Sequence, residues 1–139
     1  MTNEHPARAA SHRSMRAVGE KTKEAWLDLF ADDAIIEDPV GASPLDPEGH
    51  GHVGKAAIGA FWDMHIAPNQ IKFDIRDSYA CGHEVANVGS ITTTLPNGTI
   101  AVAEGVFVYK VNGQGKLVAL RAFWEFERMM ASMMASSKA

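Results

Sequence analysis

A long β-forming stretch near the end of the chain has the sequence Thr99-Ile-Ala-Val-Ala-Glu-Gly-Val-Phe-Val-Tyr-Lys-Val-Asn-Gly-Gln-Gly-Lys-Leu-Val-Ala-Leu-Arg-Ala-Phe-Trp-Glu-Phe126. Apolar and β-branched residues dominate residues 99–111 and 117–126, as is typical of strands. Between these segments, Asn112-Gly-Gln-Gly115 is a turn-forming sequence. The stretch therefore predicts a hairpin of two long antiparallel strands.

Two further segments upstream, residues 71–79 and 85–95, have the same β-forming character. Turn-forming residues at Cys81-Gly82-His83 and Pro96-Asn97-Gly98 join consecutive segments. The four segments together predict a meander of antiparallel strands.

The first half of the chain is predicted to be mainly helical. Apolar residues recur at helical spacing over residues 9–18, 22–30 and 55–66, and a short β-branched segment at 34–40 predicts one strand. Residues 41–54 are rich in Gly, Pro and Asp and predict a loop. Three helices that precede a long antiparallel sheet predict an α+β fold, in which the curved sheet forms a cone around a cavity for one small apolar ligand.

The length of 139 residues predicts a single domain over residues 1–139. Within it, residues 128–139 are expected to form one more helical turn or a flexible tail without a role in the chemistry. A hydrophobic fraction of 46% is enough to build a core and excludes an intrinsically disordered protein. The 13 basic and 17 acidic residues give a net charge of −4, which argues against a nucleic-acid partner.

The cysteine content and the N-terminus indicate the compartment. The single cysteine, Cys81, cannot form an internal disulfide and excludes thiolate metal clusters. The sequence has no apolar run of about 18 residues to span a membrane, and its first residues do not resemble a secretory signal. These features predict a cytoplasmic protein that does not enter a membrane.

The adjacent acids Glu37 and Asp38 are the first candidates for chemistry. Neighbouring residues of a strand point to opposite faces, so one of the two carboxylates is expected to face the interior, but alternation does not select which. Burial raises the pKa of a carboxyl group and makes it a useful proton acceptor. The alternative is an aspartate that only forms a turn before Pro39.

The histidines give weaker signals. His50 and His52 lie two residues apart in the predicted loop, and no third ligand completes a standard zinc spacing, so we expect solvated side chains and no metal. His65 shares a helix face with Ile58 and Phe61, which leaves two interpretations, a core histidine or a polar group in the cavity.

Two other motifs are not expected to carry chemistry. The Asn112–Lys116 segment is not expected to bind phosphate, because it joins two strands and no helix begins after it. Cys81 and His83 are interpreted as the end of a hairpin rather than as a nucleophile and its base. No cofactor is predicted.

Three segments of the chain carry a resemblance to a known family: Leu29-Phe-Ala-Asp-Asp-Ala-Ile-Ile-Glu-Asp-Pro-Val-Gly41, Gly54-Lys-Ala-Ala-Ile-Gly-Ala-Phe61, and Asn112-Gly-Gln-Gly-Lys-Leu-Val-Ala-Leu-Arg-Ala-Phe-Trp124. They resemble the Δ5-3-ketosteroid isomerases of the SnoaL-like, nuclear transport factor 2-like superfamily. The resemblance implies the cone-shaped roll of that superfamily, with three N-terminal helices, and a homodimer. The dimer face is expected to include Thr92-Thr-Thr94, Val106, Val108 and Val118.

The resemblance also implies a catalytic base. The family's general base, which moves a proton between two carbons of a steroid, matches Asp38, and Glu37 becomes its outward neighbour. The family's two donors to the substrate oxygen are a tyrosine on the first helix and an aspartic acid on a later strand. These positions are occupied here by Ser14 or Met15 and by Phe107, so neither donor is where the family has it.

The expected ligand-binding residues come from the first helix, the third helix and the last two strands, although the aromatic ones among them are equally suited to a core. They are Ser14, Met15, Phe61, Trp62, His65, Phe107, Tyr109, Leu120, Ala122 and Trp124.

Three functional hypotheses follow from these residues. The first is an isomerase acting on a steroid or a similar polycyclic ketone, with Asp38 as the base. The second is a non-catalytic protein that binds a steroid-like hydrophobic molecule. The third is a lyase or dehydratase that acts on aromatic metabolites with the same Asp38.

Overall fold

The structure, a computed structural model, describes residues 4–137, and these residues form four α-helices and six strands. The helices are α1 (Pro6–Glu20), α2 (Lys23–Leu27), α3 (Lys55–Phe61) and α4 (Phe126–Ser137), and a π-helical turn, Trp62–Ile66, continues α3. The strands are β1 (Phe30–Glu37), β2 (His52–Val53), β3 (Gln70–Cys81), β4 (Glu84–Thr94), β5 (Ile100–Val111) and β6 (Leu117–Trp124).

The strands form one curved sheet in the order β2-β1-β6-β5-β4-β3. The last four strands are the predicted antiparallel meander, and the α+β fold is confirmed. The sheet is nevertheless mixed, because β1 pairs in parallel with β6 and antiparallel with β2. A parallel pair needs a long crossover connection, and here α3 and the meander provide it.

The strand β1 begins earlier than predicted and ends before Asp38. Phe30 was expected to end the second helix, but it pairs with Leu117 of β6 and its ring packs edge-to-face on Trp26 at 4.8 Å between centroids. Strand pairing therefore overrides the helical pattern at this point.

After β1 the chain stays close to β6. The Asp38–Pro39 peptide bond is cis, and the backbone N–H of Val40 donates to the carbonyl of Ala122 in β6 at 2.9 Å.

Two glycines allow the sheet to bend into a cone. Gly89 of β4 and Gly105 of β5 are directly paired. A Cβ atom at Gly89 would lie 2.1 Å from the carbonyl oxygen of Asp74, and one at Gly105 would lie 2.0 Å from that of Phe123. Only a residue without a side chain permits this close approach of neighbouring backbones.

A polar network fixes helix α1 across the sheet. Asn87 of β4 is fully buried, and its amide nitrogen donates to the hydroxyl of Ser11 at 3.1 Å. Ser78 of β3 donates to the amide oxygen of Asn87 at 2.8 Å and accepts from Arg8 Nε at 3.0 Å. Because buried polar groups are costly unless paired, this network specifies the position of α1 and hence of Ser14, three residues after Ser11.

The segment expected to be one helical turn or a tail is the greater part of a three-turn helix. Helix α4 packs on β5, where the hydroxyl of Ser132 accepts from the backbone N–H of Val102 at 2.9 Å and that of Ser136 accepts from Ile100 at 3.1 Å. Residues four apart on a helix and two apart on a strand are both separated by about 6–7 Å, so the two serines match two successive free N–H groups of the strand. Residues 138 and 139 lie outside the described part of the chain.

Replacing both serines by alanine, S132A with S136A, should loosen α4 without unfolding the sheet. Each lost hydrogen bond is worth about 0.5–1.5 kcal/mol, so the amide hydrogens of Ile100 and Val102 should exchange several-fold faster. Hydrogen exchange followed by NMR measures this, and the amide of Ala101, which pairs with Thr93 of β4, is the internal control. Unchanged protection of Ile100 and Val102 would show that these two bonds do not hold the helix.

Candidate functional site

A cavity of about 370 Å³ lies between the concave face of the sheet, α1, the π-helical turn and α4. Its volume is in the range of small-molecule sites. The wall is mainly apolar, and residues from both halves of the chain contribute to it: Val18, Leu45, Ile66, Ile71, Phe73, Ile91, Leu95, Ala101, Ala103, Phe126, Met129, Met130 and Met133.

Most of the residues expected to bind a ligand meet at this cavity. Asp38 lines it, and so do eight of the ten expected ligand-binding residues: Ser14, Phe61, His65, Phe107, Tyr109, Leu120, Ala122 and Trp124.

The structure places Met15 and Trp62 outside the cavity wall. Successive residues of an α-helix point about 100° apart, so a helix that directs Ser14 into the cavity turns Met15 aside, where it is half-buried. Trp62 is buried behind the wall and packs on Trp26 at 5.2 Å between ring centroids.

The carboxyl group of Asp38 is held by a tryptophan. Trp124 Nε1 donates to Asp38 Oδ1 at 2.6 Å. Burial raises the pKa of Asp38 above its ordinary value, while the hydrogen bond from Trp124 and the charge of nearby His52 act in the opposite direction. Within residues 4–137 no group hydrogen-bonds Asp38 Oδ2, so this oxygen is available to a molecule in the cavity.

Glu37, the other member of the acid pair, faces away from the cavity. Arg121 Nε donates to Glu37 Oε1 at 2.9 Å, and the same guanidinium lies 5.4 Å from the ring centre of Phe123. The structure thus shows that Asp38, and not Glu37, faces the cavity, which strand alternation alone did not decide.

One of the three histidines discussed above, His52, differs from its predicted setting. His52 is not in a solvated loop, since it pairs with Ile36 in the sheet and its ring packs at a tilt on that of Phe61, with 5.1 Å between the ring centroids. Phe61 in turn lies 5.0 Å from the ring of His65, which lines the cavity. Burial, with a smaller contribution from the charge of His52, lowers the pKa of His65. His50 is in the loop, with 78% of its side chain exposed.

A second polar group, Tyr109 of β5, lies in the cavity wall and is 4% exposed. The hydroxyl of Ser14 hydrogen-bonds the phenol of Tyr109 and accepts from Trp26 Nε1 at 3.0 Å. Burial, together with the negative charge of Asp38, raises the pKa of Tyr109, so its phenol stays protonated at neutral pH.

Neither a metal cluster nor a membrane helix occurs in the described residues. Between residues 4 and 137, no three His, Cys, Asp or Glu side chains are arranged to hold a metal ion. No helix over the same residues has the length and apolar character needed to cross a bilayer.

Comparison with known proteins agrees with this architecture. A family model described as a SnoaL-like domain matches residues 12–120. The chain belongs to the SnoaL-like family. The resemblance inferred from the sequence is therefore confirmed at the level of the family.

Three relatives of this SnoaL-like chain are informative. The Δ5-3-ketosteroid isomerase of a Mycobacterium species is 38% identical, with a TM-score of 0.86, and the match covers 89% of this chain and 96% of that one. Mycobacterium tuberculosis Rv0760c in complex with estradiol-17β-hemisuccinate is 36% identical, with a TM-score of 0.85, over 89% and 97% of the two chains. The steroid Δ-isomerase of Nocardioides simplex is 29% identical over 117 residues, which are 84% of this chain and 88% of that protein.

A more distant neighbour shares only the fold. An epoxide hydrolase-like protein of M. tuberculosis has a TM-score of 0.80 at 15% identity, over 96% of this chain and 93% of that chain. The fold alone therefore does not select one chemistry.

Sequence reasoning missed the contribution of α4 and of Trp26 to the site. Phe126, Met129, Met130 and Met133 are spaced i, i+3, i+4 and i+7, a helical spacing that places them on one face, and this face covers the cavity. The spacing was a usable signal. Nothing in the sequence indicated that Trp26 would donate to Ser14, because that contact depends on how α1 and α2 pack.

Replacing Trp124 by phenylalanine should raise the pKa of Asp38 by about 1–2 units. The lost hydrogen bond favours the charged carboxylate and is worth about 1.5–3 kcal/mol, so its removal favours the protonated acid. The side-chain carboxyl resonance of Asp38, identified by its absence in D38N, reports the value in a ¹³C NMR titration. W62F is the matched control, since it changes a buried tryptophan outside the cavity. A pKa that stays unchanged or falls in W124F contradicts this role.

Proposed function

We propose that this protein is an isomerase that moves a proton within a steroid or a similar polycyclic ketone, with Asp38 as the general base. The observation that carries the proposal is the position of Asp38, whose carboxyl group lies in the wall of a 370 Å³ apolar cavity, with one oxygen held by Trp124 and the other available. A proton on a carbon beside a carbonyl is acidic enough for such a base once both are held together.

The proposed reaction is balanced without a cofactor. Asp38 takes a proton from the carbon next to the carbonyl, and the electron pair of the broken C–H bond moves into the carbonyl to form a conjugated enolate. The protonated Asp38 then returns the proton to another carbon of the same conjugated system, and the carbonyl is restored. Trp124 keeps Asp38 Oδ1 in place during both steps, so that Oδ2 serves both carbons.

The class of substrate is proposed from the cavity and the relatives. An apolar wall with few polar groups suits a rigid, mostly hydrocarbon ligand that carries a carbonyl. The relatives named as steroid isomerases and the relative bound to estradiol-17β-hemisuccinate support a steroid-like ligand. Reaction of an aromatic metabolite by a lyase or dehydratase route would use the same Asp38.

A second candidate function, binding without turnover, is favoured by one specific observation. Phe107, which matches the family's second oxygen donor, is 2% exposed and offers no hydrogen bond. A protein of this kind would hold a steroid-like molecule in the same cavity. We propose a cytoplasmic location for either function.

The variant D38N separates these candidates. Asparagine keeps the size of the side chain and an oxygen that accepts from Trp124, but it cannot take a proton. Conversion of a Δ5-3-ketosteroid to its conjugated isomer, followed by the absorbance of the product, should fall by about 10²–10⁴-fold, as expected for the loss of a general base. Affinity for equilenin, followed by tryptophan fluorescence, should change only a few-fold.

The matched control is E37Q, which changes the adjacent carboxylate on the outer side of the sheet. It should leave turnover unchanged. Full turnover by D38N would show that Asp38 is not the base, and equilenin binding without turnover in the unmodified protein would favour the binding function.

We further propose that the chain forms a homodimer through the outer face of the sheet. Val106 and Val108 are half-exposed there, next to Phe123, which is 43% exposed. Thr92 and Thr94 were expected on the same face together with Thr93, but Thr93 lines the cavity, because neighbouring strand residues alternate between faces.

A charged residue in this outer face should separate the two subunits. Light scattering should give a mass of two 15.0 kDa chains for the unmodified protein and of one chain for V106D, because an unpaired charge is costly in an apolar interface. E37Q should remain a dimer. A monomeric mass for the unmodified protein would contradict the proposal.

A further inference from the structure

Proton removal from the substrate leaves a negative charge on its carbonyl oxygen, and that oxygen needs a hydrogen-bond donor in an apolar cavity. The cavity wall has few candidates for this role. The donors that line it, within the described residues, are Ser14, Trp26, Asn69, Thr93, Tyr109 and Trp124, together with one ring nitrogen of His65.

Three of these groups already donate elsewhere. Trp124 Nε1 donates to Asp38 and Trp26 Nε1 donates to Ser14, and an indole nitrogen carries a single hydrogen. The amide nitrogen of Asn69 donates to the backbone carbonyl of His65 at 2.8 Å. The two indoles would have to break a formed hydrogen bond in order to serve a ligand, whereas Asn69 has only the second hydrogen of its amide left to donate.

Tyr109 differs from the other donors in its position and its partners. Its phenol is buried in the cavity wall. Tyr109 follows Phe107 by two residues on the same face of β5, and Phe107 pairs with Ala122 of β6. The Ala122 carbonyl accepts from the backbone N–H of Val40, two residues after Asp38, so Tyr109 and the proposed base lie at the same end of the cavity. A donor in this location can reach the oxygen of a ligand whose reacting carbon lies against Asp38.

The hydrogen bonds behind Tyr109 have a definite direction. An indole N–H is a donor only, so Trp26 must donate to the Ser14 oxygen. The Ser14 hydrogen can then be donated to the phenol oxygen of Tyr109, which leaves the phenol hydrogen free to point into the cavity. In a chain of this kind each hydrogen bond polarises the next one and strengthens the terminal donor.

We propose that Tyr109 donates a hydrogen bond to the oxygen of the bound ligand, and that Trp26 and Ser14 orient the phenol for this contact. This inference rests on the proposed function for its catalytic part, but the binding part stands by itself. The ligand is then a molecule that carries a carbonyl or phenolic oxygen at the end nearest Asp38. Ser14 and Trp26 are positioning residues, since they act through Tyr109.

The variant Y109F tests the donor, because it removes the hydroxyl and keeps the ring. The kcat for a Δ5-3-ketosteroid should fall by about 10²–10³-fold with little change in KM, as for loss of an oxyanion donor. Affinity for equilenin should fall at least tenfold, and affinity for the same ring system without its 3-hydroxyl should stay the same. The second probe also reports that the cavity is intact.

The matched control is Y79F, which changes the other tyrosine of the chain, 63% exposed and bonded to Asp77. It should alter neither turnover nor binding of the two probes. For the positioning role, S14A should lower kcat several-fold without affecting the probe that lacks the hydroxyl, and S14T, which restores a hydroxyl, should recover the loss.

The outcomes distinguish this inference from the proposed function. If D38N is inactive but Y109F keeps both full turnover and full preference for equilenin, then Tyr109 is not the donor although Asp38 is the base. If the unmodified protein has no turnover, the role of Tyr109 is tested by binding alone, through the preference for equilenin over the probe without the hydroxyl. Loss of that preference in Y109F supports the inference, and its persistence overturns it.

Discussion

The hydrogen bond from Trp124 to Asp38 is the interaction on which the site depends. A carboxylate inside an apolar cavity loses hydration, which raises its pKa and makes the charged form costly. Trp124 Nε1 donates to Asp38 Oδ1 at 2.6 Å, which offsets part of the lost hydration free energy and fixes the position of that oxygen. The result is a base that is stronger than a solvated aspartate and is held in one orientation, which are the two properties that proton abstraction requires.

The sheet supplies this interaction through the pairing of two segments that are far apart in sequence. Trp124 is the last residue of β6, and Asp38 follows the last residue of β1, so parallel pairing of β1 with β6 places them at the same end of the sheet. The contact between Val40 and Ala122 continues the pairing beyond Asp38. Because the side chains that line the cavity have no protein atoms packed against them on that side, the fold gives up packing energy there.

Much of this could be predicted from sequence because strand alternation and turn residues are local signals. The four long strands were recognised in this way, the helices of the first half were recognised from the helical spacing of their apolar residues, and the resemblance pointed to Asp38. Strand alternation did not separate Asp38 from Glu37, since β1 ends at Glu37 and Asp38 follows the strand. Met15 and Trp62 were placed in the cavity because helix rotation within the packed structure has no local signal. The role of α4 was missed because a short Met-rich segment was judged by its position at the end of the chain.

The movement of charge during the proposed reaction explains why a mostly apolar cavity is suitable for it. Before the proton moves, the negative charge is on Asp38, next to the N–H of Trp124. Afterwards Asp38 is neutral and the charge is on the ligand oxygen, next to the proposed donor Tyr109. The cavity therefore holds one negative charge throughout and needs two donors near the reacting carbons, one for the carboxylate and one for the ligand oxygen. An apolar wall around the two donors lowers the local dielectric and strengthens both hydrogen bonds.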